Sequence, residues 1–259
     1  MGRRGQTQPG PYLIHLEMLR ERIPDPDRFP YNLAVFRNLE TLEFHPKVTF
    51  FVGENGTGKS TLMEAIASLC DLNPEGGSRN FNFATRASHS SLDECLRLAR
   101  GPRTYADSYF LRAESFYNVA TEIERLDRDA GGPPIIGGYG GKSLHEQSHG
   151  ESFFALFKNR FRDHGLYLMD EPEAALSPKR QLAFLALLHD FCERGCQFVI
   201  ATHSPIIMAY PHAKIYVLDS GKIQEVPYAD TEHYQVTRGF LSNSQRNLAI
   251  IMDEDRTTP

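Results

Sequence analysis

The residues of the chain that most clearly indicate chemistry form a glycine-rich loop ending in a lysine and a serine. Residues 53–60 read GENGTGKS and fit the phosphate-binding pattern G-x-x-x-x-G-K-[ST]. The glycines let backbone N–H groups turn towards phosphate oxygens, and the start of the following helix adds partial positive charge. In this pattern the lysine contacts the β- and γ-phosphates and the serine hydroxyl is a ligand of Mg²⁺. The residues predicted to bind a nucleoside triphosphate here are Gly53, Glu54, Asn55, Gly56, Thr57, Gly58, Lys59, Ser60 and Thr61, with Ser60 also binding the metal.

A second candidate group lies where an apolar segment ends in two carboxylates. Residues 166–172 read LYLMDEP, so Asp170 and Glu171 directly follow a run typical of a buried strand. Two carboxylates can divide the work of hydrolysis, because one can bind a metal ion while the other accepts a proton from water. We expect Asp170 to bind Mg²⁺ and Glu171 to polarise the attacking water. An exposed acidic turn is the alternative interpretation, and the glycine-rich loop upstream makes it the less favoured one.

A histidine follows the next apolar segment in the same way. His203 lies in the sequence THSP, directly after residues 197–201. A histidine at the carboxyl end of a strand in an α/β sheet can reach the γ-phosphate of a bound nucleotide. An isolated histidine is more often a surface or capping residue. Because the other two motifs occur in the same chain, we favour a catalytic role for His203. We predict catalytic roles for Glu171 and Lys59 as well.

The apolar pattern predicts the elements that carry these residues. Strands are predicted at residues 12–19, 47–52, 109–112, 166–169, 197–201 and 214–218. Helices are predicted at residues 60–69, 115–126, 152–161, 178–193 and 231–241, with a short one around 92–99. Strands that alternate with helices indicate an α/β fold with parallel strands. The turn sequence DSGK at 219–222 predicts a hairpin over residues 214–226.

Composition places the chain among globular proteins. It has 259 residues, 41% of them hydrophobic and 24% charged, which excludes wholesale disorder. No apolar run is long enough to span a bilayer, and four scattered cysteines do not suggest a disulfide framework, so we expect a cytoplasmic protein with no integral membrane segment. A net charge of −5 lacks the basic character of a dedicated nucleic-acid binder. We predict one domain over residues 1–259, in which residues 73–147 form an insertion.

In this order, and with residues 147–151 reading QSHGE, the motifs resemble those of the ATP-binding cassette (ABC) ATPase superfamily over about residues 35–220. The sequence FRNL at 36–39, which leads into the glycine-rich loop, is similar to the soluble, stand-alone "AAA family" ATPases related to SMC and RecF heads. The segments YFLRAESF at 109–116 and DTEHY at 230–234 resemble a family of small bacterial ATPases. The resemblance implies a P-loop NTPase fold: an ABC ATPase head with a mixed, largely parallel central sheet and a small inserted lobe.

The resemblance also implies further site residues. Ser148, Gly150 and Glu151 occupy the signature position, which contacts the γ-phosphate of ATP bound to the opposite subunit, although transporters usually have LSGGQ there. Glu114 stands where the family places a glutamine, and it could face Mg²⁺ or water. A helix-capping carboxylate is the alternative for Glu114. Residues 174–177 read AALS in place of the SALD of transporters, so contacts between subunits could differ. Phe29, Tyr31 and Phe36 are candidates to stack on adenine, and Arg37 is an alternative nucleotide contact.

The activity that the resemblance implies is Mg²⁺-dependent ATP hydrolysis in a head-to-tail homodimer, which drives a switch on a protein or nucleic-acid partner. The alternative is the nucleotide-binding subunit of a membrane transporter, which the altered signature makes less favoured. A nucleotide-sensing module with negligible turnover is a third class. Arginines interleaved with aromatic residues could bind nucleic acid, but a solvated surface is the favoured interpretation of this cluster. Its members are Arg79, Phe81, Phe83, Arg86, Arg97, Arg100, Arg103 and Tyr105.

Overall fold

The computed structural model describes residues 11–77, 90–113, 149–219 and 221–254, and a few isolated positions between 114 and 148. Its strands are β1 (Leu13–Met18), β2 (Thr41–Glu43), β3 (Val48–Val52), β4 (Leu96–Arg100), β5 (Asp107–Arg112), β6 (Gly165–Asp170), β7 (Gln197–Ala201), β8 (Ala213–Asp219) and β9 (Lys222–Glu225). Its helices are α1 (Ala34–Arg37), α2 (Lys59–Leu69), α3 (His149–Asn159), α4 (Pro178–Glu193), α5 (Glu232–Ser242) and α6 (Ser244–Glu254).

The central sheet brings the three sequence motifs to one edge. Its strand order is β5-β6-β7-β3-β8-β9, and every neighbouring pair is parallel except β8 and β9, which form the predicted hairpin. Because β3, β6 and β7 are adjacent and parallel, their carboxyl ends lie side by side. The predicted α/β fold with a mixed, largely parallel sheet is therefore confirmed.

Alternate side chains of these strands pack on opposite faces of the sheet, as strand geometry requires. Phe50 and Phe198 belong to the cluster that includes residues of α3 and α4. Phe51 and Leu168 belong to the cluster formed with α2 and the N-terminal segment. All residues of β6 and β7 are buried, because both faces of the sheet are covered.

A second, antiparallel sheet of order β2-β1-β4 packs beside the first. One buried link to the central sheet is the side chain of Gln197 on β7. The Gln197 Oε1 atom accepts hydrogen bonds of 2.8 Å from the N–H groups of Tyr12 and Leu13, and its Nε2 donates to the carbonyl oxygens of Leu13 and His45 at 3.0 Å. The amide thus satisfies backbone groups at the start of β1 that would otherwise be buried without partners.

The helix predicted around residues 92–99 is wrong. Ser91–Cys95 forms a short 3₁₀ turn, and Leu96–Arg100 is strand β4, whose Leu98 pairs with Leu16 on β1. The spacing of Leu92, Cys95 and Leu96 imitates a helical face. Pairing with β1, which is far away in sequence, overrides that local pattern.

The other predicted elements occur with shifts of a few residues at their ends. Helix α3 begins at His149 and ends at Asn159, earlier than the predicted 152–161, so Gly150 and Glu151 of the signature segment lie in its first turn. Most of the predicted helix at 115–126 lies outside the described residues. Both β4 and β5 fall within residues 73–147 and belong to the two sheets, and the inserted lobe itself stays a prediction. Within the described residues, no helix is both long and apolar enough to cross a bilayer.

Candidate nucleotide-binding site

The glycine-rich loop joins β3 to α2, as the phosphate-binding pattern predicts. Gly58 precedes the first residue of α2 and has a φ of 100° in the left-handed region, where glycine avoids the strain of a side chain. A Cβ atom at this position would also lie 3.1 Å from Cζ of Phe36. The first turn of α2 has no side-chain cap, so its N–H groups remain available to an anion.

Lys59 is folded back onto the loop that carries it. Its side chain is buried, and Nζ donates hydrogen bonds to the carbonyl oxygens of Gly53 at 2.7 Å and Glu54 at 2.8 Å. The Thr57 hydroxyl donates to the same Glu54 carbonyl at 2.9 Å and tightens the loop. Burial lowers the pKa of Lys59, and nearby carboxylates, first Glu171, oppose that shift. The loop thus holds an ammonium group where phosphate oxygens could replace its carbonyl partners.

Asp170 ends β6 and lies beside an arginine that the sequence reasoning left without a role. The Oδ2 atom of Asp170 is 3.7 Å from Nε of Arg112 at the end of β5. The Nη1 atom of Arg112 donates to Oε1 of Glu64 on α2 at 2.7 Å. Arg112 therefore connects β5, β6 and α2. The sequence feature that could have identified Arg112 is its position as the last residue of the predicted strand 109–112.

The donor atoms near this strand end suit Mg²⁺. The carboxylate of Asp170 and the hydroxyl of Ser60 offer the oxygen ligands that this ion prefers, and Asp170 is buried at the end of its strand. No group of three or more His, Cys, Asp or Glu that could hold a metal occurs in the described residues. Only one carboxylate and one hydroxyl are therefore assigned to the ion, which fits a Mg²⁺ that is held mainly by phosphates and water. Glu114, the third predicted ligand, lies outside the described residues.

Glu171 and His203 lie together at the carboxyl ends of β6 and β7. Glu171 has a φ of 53°, unusual for a residue with a side chain, and its N–H donates to the Ala201 carbonyl at 2.9 Å. Its Oε1 atom is 3.5 Å from Nε2 of His203. The charge of Lys59 also acts on His203, whose pKa is lowered first by burial and then by that charge. The three predicted catalytic residues thus lie within electrostatic reach of one another.

Glu173 fixes the backbone around His203 and was not singled out from the sequence. Its Oε1 atom accepts a hydrogen bond of 2.5 Å from the N–H of His203, and its Oε2 atom accepts one of 2.8 Å from the Thr202 hydroxyl. Burial raises the pKa of Glu173, while these hydrogen bonds oppose that shift. Glu173 thus ties the loop after β7 to the turn after β6.

A second histidine completes the group. The Nε2 atom of His233, in the first turn of α5, lies 3.2 Å from Nδ1 of His203. Burial lowers the pKa of His233 as it does that of His203. His233 also lines a cavity of about 290 Å³ with Gly53, Glu54 and residues of the β8–β9 hairpin. Within the sequence, DTEHY stands out only through its resemblance to other ATPases, because no local pattern shows that it folds onto His203.

Two residues of the signature segment, Gly150 and Glu151, lie in the first turn of α3. Gly150 is buried, and a Cβ atom there would lie 1.8 Å from Nη1 of Arg180, so any side chain at this position would require the Arg180 side chain to move. Glu151 is exposed in the same turn. Ser148 lies outside the described residues. A nucleotide contact by Gly150 or Glu151 stays a prediction.

The aromatic candidates for adenine differ in exposure. Tyr31 and Phe36 are buried in the core, where the Tyr31 hydroxyl contacts Ser91, so neither can stack on a base as it stands. Phe29 is 56% exposed and remains a candidate. Arg37 forms a surface ion pair of 2.8 Å with Asp27.

Part of the arginine and aromatic cluster is used within the fold. Arg97 pairs with Glu17 across β4 and β1 at 2.5 Å, and Arg100 donates to the Leu69 carbonyl. Four members, Arg79, Phe81, Phe83 and Arg86, lie outside the described residues. The local pairing of Arg97 and Arg100 favours the solvated-surface interpretation.

The loop, the strand order and the paired carboxylates define a P-loop nucleotide-binding domain. Residues 31–129 match a family described as "AAA domain", and residues 143–209 match one described as "AAA domain, putative AbiEii toxin, Type IV TA system". The solved structure of cbiO1 from Clostridium perfringens, part of the ABC transporter complex cbiONQ, aligns with a TM-score of 0.51 and 16% identity over 93% of this chain and 99% of that one. The SMC head domain from Thermotoga maritima aligns with a TM-score of 0.45 and 18% identity over 83% of this chain and 98% of that one.

Curated relatives show which proteins the chain is similar to in sequence. The hemin import ATP-binding protein HmuV of Nocardia farcinica is 29% identical over 188 residues, which are 68% of this chain and 65% of that protein. The vitamin B12 import ATP-binding protein BtuD of Yersinia enterocolitica is 25% identical over 190 residues, 68% of this chain and 74% of that one. The chain thus spans about two thirds of the length of such relatives. Its fold is that of an ABC ATPase head, and in sequence the chain is similar to ATP-binding proteins of ABC transporters.

Proposed function

We propose that the chain binds ATP with Mg²⁺ at the glycine-rich loop and hydrolyses it. The observation that carries this proposal is the convergence of Lys59, Glu171 and His203 at the carboxyl ends of β3, β6 and β7. An ammonium group, a carboxylate and an imidazole at one sheet edge can respectively bind phosphate, accept a proton from water and donate to a phosphate oxygen. The likeness to ABC ATPases supports the same reaction.

Each of these residues has a defined part in the proposed reaction. On nucleotide binding, Lys59 exchanges the carbonyl oxygens of Gly53 and Glu54 for the β- and γ-phosphates. Glu171 accepts the proton of the attacking water, and His203 contacts the γ-phosphate through Nε2. Ser60 and Asp170 would hold Mg²⁺, which neutralises phosphate charge when bound.

The proposed site is completed by a second copy of the chain. Ser148, Gly150 and Glu151 precede or open α3, and the amino-terminal end of a helix carries partial positive charge that favours a phosphate. In a head-to-tail homodimer, this end of one subunit would cover the ATP on the phosphate loop of the other. Hydrolysis at Glu171 would then open the dimer and switch its action on a protein or nucleic-acid partner.

The test is the mass of the Glu171→Gln variant, measured by light scattering with and without Mg·ATP. Blocking hydrolysis traps the closed state, so we expect the 29.3 kDa chain to double in mass only when Mg·ATP is present. The Lys59→Ala, Glu171→Gln double variant is the matched control and stays monomeric. Full phosphate release by Glu171→Gln would contradict the assigned role of Glu171, and a monomer that binds ATP would contradict the homodimer.

The second candidate function is the nucleotide-binding subunit of a membrane transporter. The names of the relatives favour it, since hemin, vitamin B12 and thiamine import ATP-binding proteins are among them. A transporter subunit should co-purify with a membrane protein from detergent extracts of its native cells. A stand-alone ATPase should instead release phosphate at full rate as the isolated chain.

A further inference from the structure

The imidazole of His203 lies between a carboxylate and another imidazole. On one side, its Nε2 atom is 3.5 Å from Oε1 of Glu171 and has no hydrogen-bond partner among the described residues. On the other side, its Nδ1 atom lies 3.2 Å from Nε2 of His233. Both rings are half-buried, and burial lowers the pKa of each, so the neutral forms are favoured at neutral pH.

Donor and acceptor requirements select one arrangement of protons in this group. A neutral imidazole carries a proton on only one nitrogen, and the partner of the other nitrogen decides which one it is. If His203 carried its proton on Nδ1, the bare Nε2 lone pair would face the Glu171 carboxylate, which is also an acceptor. If the proton is on Nε2, it faces Glu171, and Nδ1 becomes the acceptor of a hydrogen bond. In that case His233 must be the donor.

His233 is held in place by the turn that precedes α5. The Tyr228 hydroxyl donates to the Pro205 carbonyl at 2.8 Å, two residues beyond His203. Thr231 is fully buried, and its hydroxyl donates to the Tyr228 carbonyl at 2.8 Å. These contacts join the start of α5 to the segment after β7, so the position of His233 is set relative to His203 and not only by α5.

We propose that His233 is a positioning residue for the proposed hydrolysis: it donates its Nε2 proton to Nδ1 of His203 and keeps the His203 proton on Nε2. An imidazole in that form presents an N–H group to Glu171 and to the γ-phosphate, which accept hydrogen bonds. The inference rests on the proposed function for its consequence in catalysis, but the proton arrangement itself is a property of the nucleotide-free protein.

The kinetic test is a double-mutant cycle on phosphate release. We expect His233→Met, which removes the donor and keeps bulk, to lower kcat about 10-fold with little change in KM, by the scale of other residues that orient a functional histidine. His233→Gln restores an N–H donor and recovers most of the rate. In a His203→Ala background, His233→Met should have no further effect. The proposal would be overturned if the losses in kcat of the two single variants multiplied in the double variant. It would also be overturned if His233→Met alone kept the full kcat.

The second test needs no activity and separates the two proposals. Nitrogen-15 NMR of the histidine rings in the nucleotide-free protein reports which ring nitrogen carries the proton, and His203→Gln assigns the His203 signals. We expect the Nε2-protonated form of His203 in the wild type and in His233→Gln, and a mixture in His233→Met. The matched control is His212→Ala. His212 directly precedes β8, at the amino end of that strand and away from the sheet edge that carries the site, so this variant should leave the His203 signals unchanged. An Nδ1-protonated His203 in the wild type would overturn the inference even if the protein hydrolyses ATP. If His203 has the expected tautomer but the protein does not hydrolyse ATP, only the proposed function is contradicted.

Discussion

The central sheet and the C-terminal helices contribute to the candidate site in opposite ways. Every residue of β6 and β7 is buried, whereas α5 has no buried residue. Large apolar side chains are exposed along α5 and α6: Val236, Phe240, Leu241, Leu248, Ile250, Ile251 and Met252. The same apolar residue types are therefore inside the protein in one region and in contact with solvent in the other.

This contrast separates what folds the protein from what completes its site. The strands fix Asp170, Glu171 and His203 through a core packed on both faces, so the geometry of these residues follows from the stability of the fold. The C-terminal helices add one residue, His233, through anchors confined to the turn before α5. Substitutions in the sheet should thus affect stability, and those along the helices should not.

The largest expected effect is on the sheet side of the comparison. Leu168 in β6 is fully buried and belongs to the same apolar cluster as Phe51 and Ile66, so Leu168→Ala leaves a cavity in the core. We expect the free energy of unfolding to fall by about 2–5 kcal/mol. Urea denaturation followed by circular dichroism measures it. If the free energy of unfolding fell by less than about 1 kcal/mol, the core would have to collapse around the substituted position or be less tightly packed than the structure shows.

The second expected effect concerns the half-buried carboxylate of Glu173, which joins the segments after β6 and β7. Burial raises the pKa of Glu173 above its unfolded value near 4.5, so the unfolded chain releases this proton first as pH rises. Stability contributed by the protonated form is complete below the unfolded pKa and is lost as pH rises through the folded pKa. Glu173→Gln cannot titrate.

The measurement for Glu173 is urea unfolding of both proteins between pH 4.5 and 8. We expect the free energy of unfolding of Glu173→Gln to improve relative to the wild type as pH rises through that window. The amide oxygen can still accept the hydrogen bond from the His203 N–H, so the turn should be retained. Parallel pH dependences for the two proteins would contradict a raised pKa at Glu173.

Much of the central sheet could be predicted from the sequence, because its signals are local. The strand before the glycine-rich loop, the strand ending in Asp170 and the strand before His203 are apolar runs bounded by polar residues, and the structure has all three. The parallel arrangement follows from their alternation with helices. The small second sheet was not predicted, because β4 pairs with β1 across a long sequence separation and its short pattern is equally compatible with a helix.

The remaining site residues depend on contacts between distant segments. Arg112, Glu173 and His233 each contact a predicted site residue, but the contacts run from β5 to β6, from the turn after β6 to the loop after β7, and from α5 to that same loop. Side-chain convergence of this kind follows from strand order and helix placement, which periodicity does not encode. Short motifs locate the reacting groups, whereas the residues that orient them require the fold.

The smallest expected effect is on the helix side, where the same substitution as in β6 can be made. Leu241 on α5 is 69% exposed, so Leu241→Ala removes little buried apolar surface and leaves no cavity. Alanine is also a good helix former, and we expect the free energy of unfolding to change by about 0.5 kcal/mol or less. Phosphate release should be unchanged, since Leu241 lies about two turns beyond His233. A loss comparable to that of Leu168→Ala would show that α5 is packed against another surface in solution, and the separation between folding and site completion would then fail.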